Sequence, residues 1–129
     1  MRALLDTSVF IAREQLRPLG PLPDVVAVSV VTISELRYGV LAAADHATRA
    51  RRLTTLEAAR RLGAPVPIDE PVADELARLR AALRALGRAL KVMDAWIAAT
   101  AIVHDAVVCT QDADFDVLAD AGLIDVVRV

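Results

Sequence analysis

The chain has 129 residues, 56% of them hydrophobic, which is material for one buried core, so a single domain spanning 1–129 is expected. A formal net charge of -2 argues against indiscriminate binding to nucleic acid, and the single cysteine, Cys109, excludes an internal disulfide and zinc-type ligand spacing. No apolar run approaches the roughly 20 residues that span a bilayer, and the first residues read as a strand rather than a signal peptide, so a cytoplasmic protein is expected.

Leu4-Leu5 reads as a short buried strand, after which Thr7 or Ser8 is expected to cap a helix begun by Val9-Phe10-Ile11-Ala12. Residues 17–24 hold Pro18, Gly20, Pro21 and Pro23 and suit a loop better than a domain boundary. A second strand is expected at 25–28. Ser29 or Thr32 then starts a helix through Glu35 toward Ala44, followed by another helix over 45–62. Gly63-Ala64-Pro65 stops that helix, and Val66 and Ile68 suggest a third short strand.

From 70 to 90, Val72, Leu76, Leu79, Leu83 and Leu86 recur at intervals of three and four, which predicts an amphipathic helix that Gly87 ends or bends. A strongly apolar helix over 92–104 follows, then a strand at 107–109, with Cys109 read as a small core residue. A helix over 115–121 and a strand over 126–129 close the chain. This alternation predicts an α/β fold with a central parallel sheet of about five strands covered by helices on both faces.

Four acids fall where strands pass into helices or just inside the helix that follows: Asp6, Glu35, Asp94 and Asp112. In an open parallel sheet the carboxyl ends of the strands gather at one edge, so acids distant in sequence converge there. Such a group repels itself unless a cation neutralises it. Magnesium takes oxygen ligands and commonly binds through one or two carboxylates and waters, which makes Asp6, Asp94 and Asp112 the expected direct or water-mediated ligands. The ion would activate water and offset charge on a phosphodiester, so hydrolysis needs no histidine, cysteine or serine nucleophile.

Each acid also has a plainer reading. Asp6 and Asp94 could serve as helix caps, Glu35 could face solvent, and at least one of Asp112, Asp114 and Asp116 is expected to be structural. Asp112 is preferred as ligand because it follows the strand so closely, with Asp114 in support, and Thr7 and Thr110 could steady the carboxylates by hydrogen bonds. Ten of the fifteen basic residues lie between Arg49 and Lys91, whereas 94–129 holds seven acids and one base, Arg128. Arginine-rich faces at 49–61 and 78–91 are either solvated surface or phosphate contacts, with Arg88 and Lys91 favoured for substrate as nearest to Asp94 in sequence. Trp96 reads as packing, Tyr38 as a base contact, an interface residue or a core-edge residue, and His46 and His104 as surface or helix-end residues.

Four motifs in order, Leu4-Leu5-Asp6-Thr7-Ser8, Ser34-Glu35-Leu36-Arg37-Tyr38-Gly39, Met93-Asp94-Ala95-Trp96 and Thr110-Gln111-Asp112-Ala113-Asp114-Phe115, resemble those of the PIN-domain ribonucleases. The resemblance covers essentially the whole chain, whose size is similar to that of the single-domain VapC toxins. It implies a PIN-like three-layer sandwich and a magnesium-dependent, or manganese-dependent, endoribonuclease toxin with Asp6, Glu35, Asp94 and Asp112 as acidic quartet. It further implies a homodimer and a cognate VapB-like antitoxin whose carboxy-terminal segment occupies the active-site groove. The family varies between Asn and Asp at the first acidic position of the fourth motif, which leaves the roles of Asp112 and Asp114 open. The competing readings are a non-catalytic RNA- or protein-binding module on the same fold and, with a poorer fit, a phosphatase or phosphoacceptor domain, for which Asp6-Thr7-Ser8 lacks the second acid of an Asp-x-Asp pair.

Overall fold

The chain is described as a computed structural model covering residues 2–129. Its elements run β1 (Arg2–Leu5), α1 (Thr7–Glu14), β2 (Val25–Ala27), α2 (Val30–Leu41), α3 (His46–Arg60), α4 (Glu70–Ala85), α5 (Val92–Val103), β3 (Val107–Thr110), a 3-10 turn (Ala113–Phe115), α6 (Asp116–Asp120) and β4 (Val126–Arg128). The strands form one sheet in the order β2-β1-β3-β4, with every neighbouring pair parallel. Leu4 lies opposite Ala27 on one side and Val108 on the other, which places β1 and β3 at the centre.

Side chains alternate across the sheet with the period of two that a strand imposes. Leu4 and Val108 join Leu79, Leu83, Ile97, Ala98, Phe115 and Leu118 in a core under α4, α5 and α6. Ala3, Leu5 and Cys109 face the other way and pack with Val9, Phe10, Leu36, Val40 and Leu56 from α1, α2 and α3. Cys109 is fully buried, a small core residue as expected. The three layers therefore follow from short strands buried on both faces.

Among the described residues the sheet has four strands rather than about five, because the segment at Val66 and Ile68 contributes a single parallel bridge between Val66 and Ser29. The Val66 N–H donates to the Val28 carbonyl at 2.8 Å, and the Val66 carbonyl accepts from the Val30 N–H at 3.0 Å. Pro65 and Pro67 flank it without N–H groups, so the ladder has nothing to continue on. The first helix also starts earlier than Val9. Asp6, in extended conformation, is its N-cap and accepts from the Ser8 N–H, which leaves the hydroxyls of Thr7 and Ser8 for other partners.

The amphipathic helix stops at Ala85 instead of Leu90. Gly87 adopts a φ of +66°, its N–H donates to the Arg84 carbonyl at 3.0 Å and the Arg88 N–H donates to the Leu83 carbonyl at 2.8 Å. That pair of bonds satisfies the last carbonyls of α4 and reverses the chain, which is why glycine occupies this position. Among the described residues no helix is long and apolar enough to cross a membrane.

A candidate metal centre at the carboxyl edge of the sheet

The chain leaves β1 toward β2 on one side and later returns to β3 on the other, so the crevice between the carboxyl ends of β1 and β3 is the point where strand order reverses. Asp6 follows β1 directly, and its N–H donates to the Cys109 carbonyl at 2.9 Å, which fixes it beside β3. Thr110 ends β3, Asp112 leads the 3-10 turn, and Asp94 stands in the first turn of α5. The fold thus delivers side chains from three separate stretches to one edge.

Asp94, Asp112 and Asp114 come closest, each offering a carboxylate oxygen within 4.8 Å of the others. Asp94 is only 9% exposed, and its Oδ2 is buried without any hydrogen-bond partner. Burial, and then the charges of Asp6, Asp112, Glu35 and Asp114, push its carboxyl from the ordinary 3.8 up to about 6. Its capping role is ruled out, since the cap position of α5 belongs to Lys91, which makes no side-chain cap bond. A partly desolvated, unpartnered carboxylate among like charges lacks a counter-charge. The donors are all carboxylate oxygens, which fits a hard divalent cation such as magnesium or manganese.

Asp6 lies outside that tightest group but within reach of its electrostatics. Its Oδ2 accepts from the Thr110 hydroxyl at 2.9 Å and, as helix cap, from the Ser8 N–H at 3.4 Å. Thr110 Oγ1 also accepts from the Asp112 N–H at 2.8 Å and lies 3.0 Å from Ser8 Oγ. With the Thr110 proton committed to Asp6, Ser8 is the donor to Thr110, and Ser8 Oγ in turn accepts from the Gln111 N–H at 3.0 Å. One buried hydroxyl therefore sets both the Asp6 carboxylate and the backbone that carries Asp112.

Glu35 points in from α2, where the Thr7 hydroxyl donates to its Oε1 at 2.7 Å and also lies 3.3 Å from Thr32 Oγ1. Burial raises its carboxyl pKa, Thr7 opposes the rise, and the charge of Asp6 adds to it. Asp112 doubles as the cap of the 3-10 turn, its Oδ1 accepting from the Asp114 N–H at 2.9 Å. Asp116 is drawn away to an ion pair with Arg128. Lys91 pairs with Asp114 at 3.0 Å, whereas Arg88 lies along a separate cavity beside α4.

A PIN domain family model matches residues 3–121. The chain belongs to the PIN domain family. As a PIN domain it is 47% identical to Ribonuclease VapC5 of Mycobacterium tuberculosis (strain ATCC 25618 / H37Rv) over 128 residues, which covers 98% of this chain and 94% of that protein. It is also 33% identical to Toxin FitB of Neisseria gonorrhoeae, covering 93% of this chain and 94% of that one. Among solved structures, the VapBC-5 toxin-antitoxin system of Mycobacterium tuberculosis superposes with a TM-score of 0.86 at 45% identity, over 99% of this chain and 98% of that one.

Sequence reasoning about this PIN domain missed the Ser8 hydroxyl, read only as a cap, and the pairing of Lys91 with Asp114. The spacing of Ser8 two residues after Asp6 carries the first signal, because a helix-start hydroxyl next to a strand end reaches the neighbouring strand. The second has no local signal, as residues 91 and 114 meet only through the packing of α5 against β3. Trp96 is half-buried against the α4 and α5 core, as read, while Tyr38 is 73% exposed and His46 and His104 lie at the surface.

Proposed function

We propose that this PIN domain is a magnesium-dependent endoribonuclease, the toxin of a toxin-antitoxin pair, with manganese able to replace magnesium. The observation that carries the reading is Asp94, whose Oδ2 is buried without a partner and whose carboxylate gathers with those of Asp112 and Asp114. The names of its relatives support it, since proteins alike over nearly their whole length are called ribonucleases or toxins.

In this reading Asp94 and Asp112 hold the ion, with Asp114 beside them and Asp6 reaching it directly or through water. A divalent cation held there would make a water more acidic and offset charge on the phosphodiester. Thr110 orients Asp6 and the Asp112 backbone, and Thr7 holds Glu35 toward the same edge. Asp6, Glu35, Asp94 and Asp112 form the acidic quartet. Lys91, at the rim on Asp114, and Arg88 on the adjoining wall receive phosphates of the RNA. A VapB-like antitoxin as partner is supported by the solved VapBC complexes that share the fold. A cytoplasmic homodimer, each chain forming a single nuclease domain over residues 1–129, completes the proposal.

The test is cleavage of a total RNA pool by purified, partner-free protein with magnesium, with EDTA, and with Asp94→Asn. Discrete fragments that need both magnesium and Asp94 are expected. Intact RNA in every lane, from protein shown to be folded, would overturn the proposal in favour of a non-catalytic binding module.

A further inference from the structure

The reversal of the chain at Gly87 has a consequence beyond ending α4. Arg80 and Arg84 lie one turn apart on the helix, about 6 Å along its axis. The turn brings Arg88 back onto the same wall, and the three side chains line a cavity of about 640 Å³. Its lining also includes the apolar Ala81, Leu83 and Ala95, the last of these the residue next to Asp94 in sequence. The cavity thus lies between the end of α4 and the start of α5, the helix whose first turn carries Asp94.

Among the described residues, none of these three arginines takes part in an ion pair, whereas Arg61, Arg78 and Arg128 each have an acidic partner. Like charges at positions 80 and 84 oppose helix formation, and the helix dipole offsets this only for Arg84 in the last turn. An arginine face that merely solvates a helix gains nothing from converging on a cavity. A polyanion that passes through it would supply the missing counter-charges, because each planar guanidinium can bind a phosphate through two donors.

We propose that Arg80, Arg84 and Arg88 form a phosphate track that grips the RNA backbone beside the scissile position and leads it to Asp94. This rests on the reading of the chain as a ribonuclease and extends it to how the substrate is held. None of the residues lining the groove is aromatic, so it offers bases no stacking platform. The grip is on the backbone and tolerant of sequence, leaving any choice of cleavage site to other surfaces.

The experiment is fluorescence anisotropy of short labelled oligouridine and oligoadenosine in EDTA across a salt series. Wild type is compared with an R80Q/R84Q/R88Q triple variant, the singles Arg80→Gln and Arg84→Gln, and R49Q/R51Q/R60Q on α3. Each lost phosphate contact on a single strand is expected to reduce the slope of log affinity against log salt by about 0.7, hence by about 2 for the triple, equally on both oligomers. The singles keep the test decisive should the triple fold poorly. An unchanged slope in the α4 variants, or an equal loss in the α3 variant, would overturn the track. So would a change in solution mass by light scattering with the slope intact, which would assign the groove to a second copy of the chain. Magnesium-dependent cleavage by wild type with an unaltered slope in the variants removes the track alone, whereas wild type that neither binds nor cleaves RNA removes both readings.

Discussion

Lys91 Nζ lies 3.0 Å from Asp114 Oδ2, so the residue that opens α5 closes an ion pair at the edge where Asp94, Asp112 and Asp114 meet. Asp114, and then the charges of Asp94 and Asp112, hold the Lys91 ammonium above its usual pKa. A fixed positive charge here partly satisfies the acids and competes with an incoming cation. Lys91→Met is therefore expected to tighten binding of manganese to the RNA-free protein by roughly two- to fivefold, the effect of removing a Coulomb repulsion in a solvent-screened site. The same variant should bind RNA less well. Isothermal titration with manganese reads the first effect, and weaker metal binding would show that Lys91 supports the site.

The Asp94 carboxyl, raised from 3.8 to about 6, makes stability depend on pH in a defined direction. In the unfolded chain it ionises near its ordinary value, so between about pH 4 and pH 6 the folded protein holds a proton the unfolded chain has released. Stability of the metal-free protein consequently falls as pH rises through that window, by on the order of 2 kcal/mol once pH exceeds 6. Asp94→Asn removes this penalty and is expected to melt higher than wild type in EDTA at pH 7.5, with little difference between them at pH 4.5. Magnesium should raise the Tm of wild type at pH 7.5 and leave the variant unmoved. Thermal melts at the two pH values check both statements, and a variant less stable than wild type at pH 7.5 would refute the account.

Thr110 is fully buried, and its hydroxyl both donates to Asp6 and accepts from the Asp112 N–H. Thr110→Val keeps the shape and deletes these two bonds and the one from Ser8 Oγ, stranding a buried acceptor, a backbone donor and a hydroxyl, at an expected cost of about 2 kcal/mol in denaturant unfolding. Loss of the shared anchor should also lower cleavage by at least about tenfold, as removal of an outer support of a metal site commonly does. Thr110→Ser retains the hydroxyl and is expected to recover most of both. Equal damage from Ser and Val would point to packing of the methyl group instead.

Much of this site is legible in the chain because parallel strands fix where their carboxyl ends go. Asp6 and Asp112 sit just beyond Leu5 and Thr110, and once β1 and β3 are neighbours those acids meet without any tertiary detail. The apolar face around Asp94 likewise marks it as an acid out of place in a buried helix. The division of labour is harder to see. Asp112, Asp114 and Asp116 are equivalent as letters, and only the reach of Arg128 from β4 removes Asp116 from the group. The lost strand at Val66 was written in Pro65 and Pro67, whose missing N–H groups weigh more than the β-branched residues between and after them. The groove of Arg80, Arg84 and Arg88 depends on the reversal at Gly87, which helical periodicity alone does not describe.

Glu35 stands apart from the tight group of Asp94, Asp112 and Asp114, and its Oε1 is held by Thr7 at 2.7 Å. Under the proposed function, its placement would separate two contributions that the sequence treats alike: retaining the cation and shaping the reaction around it. Glu35→Gln is expected to leave manganese affinity within about threefold of wild type, because a charge outside the group contributes only through screened Coulomb energy. Asp112→Asn, which alters a member of the group, should weaken it by tenfold or more. Cleavage should fall in both variants. Thr7→Val, which frees Glu35 while keeping its charge, is expected to slow cleavage by roughly tenfold with metal binding unchanged. Calorimetric titration beside single-turnover cleavage at saturating magnesium distinguishes the cases. Loss of metal binding in Glu35→Gln equal to that in Asp112→Asn would instead make Glu35 a ligand in its own right.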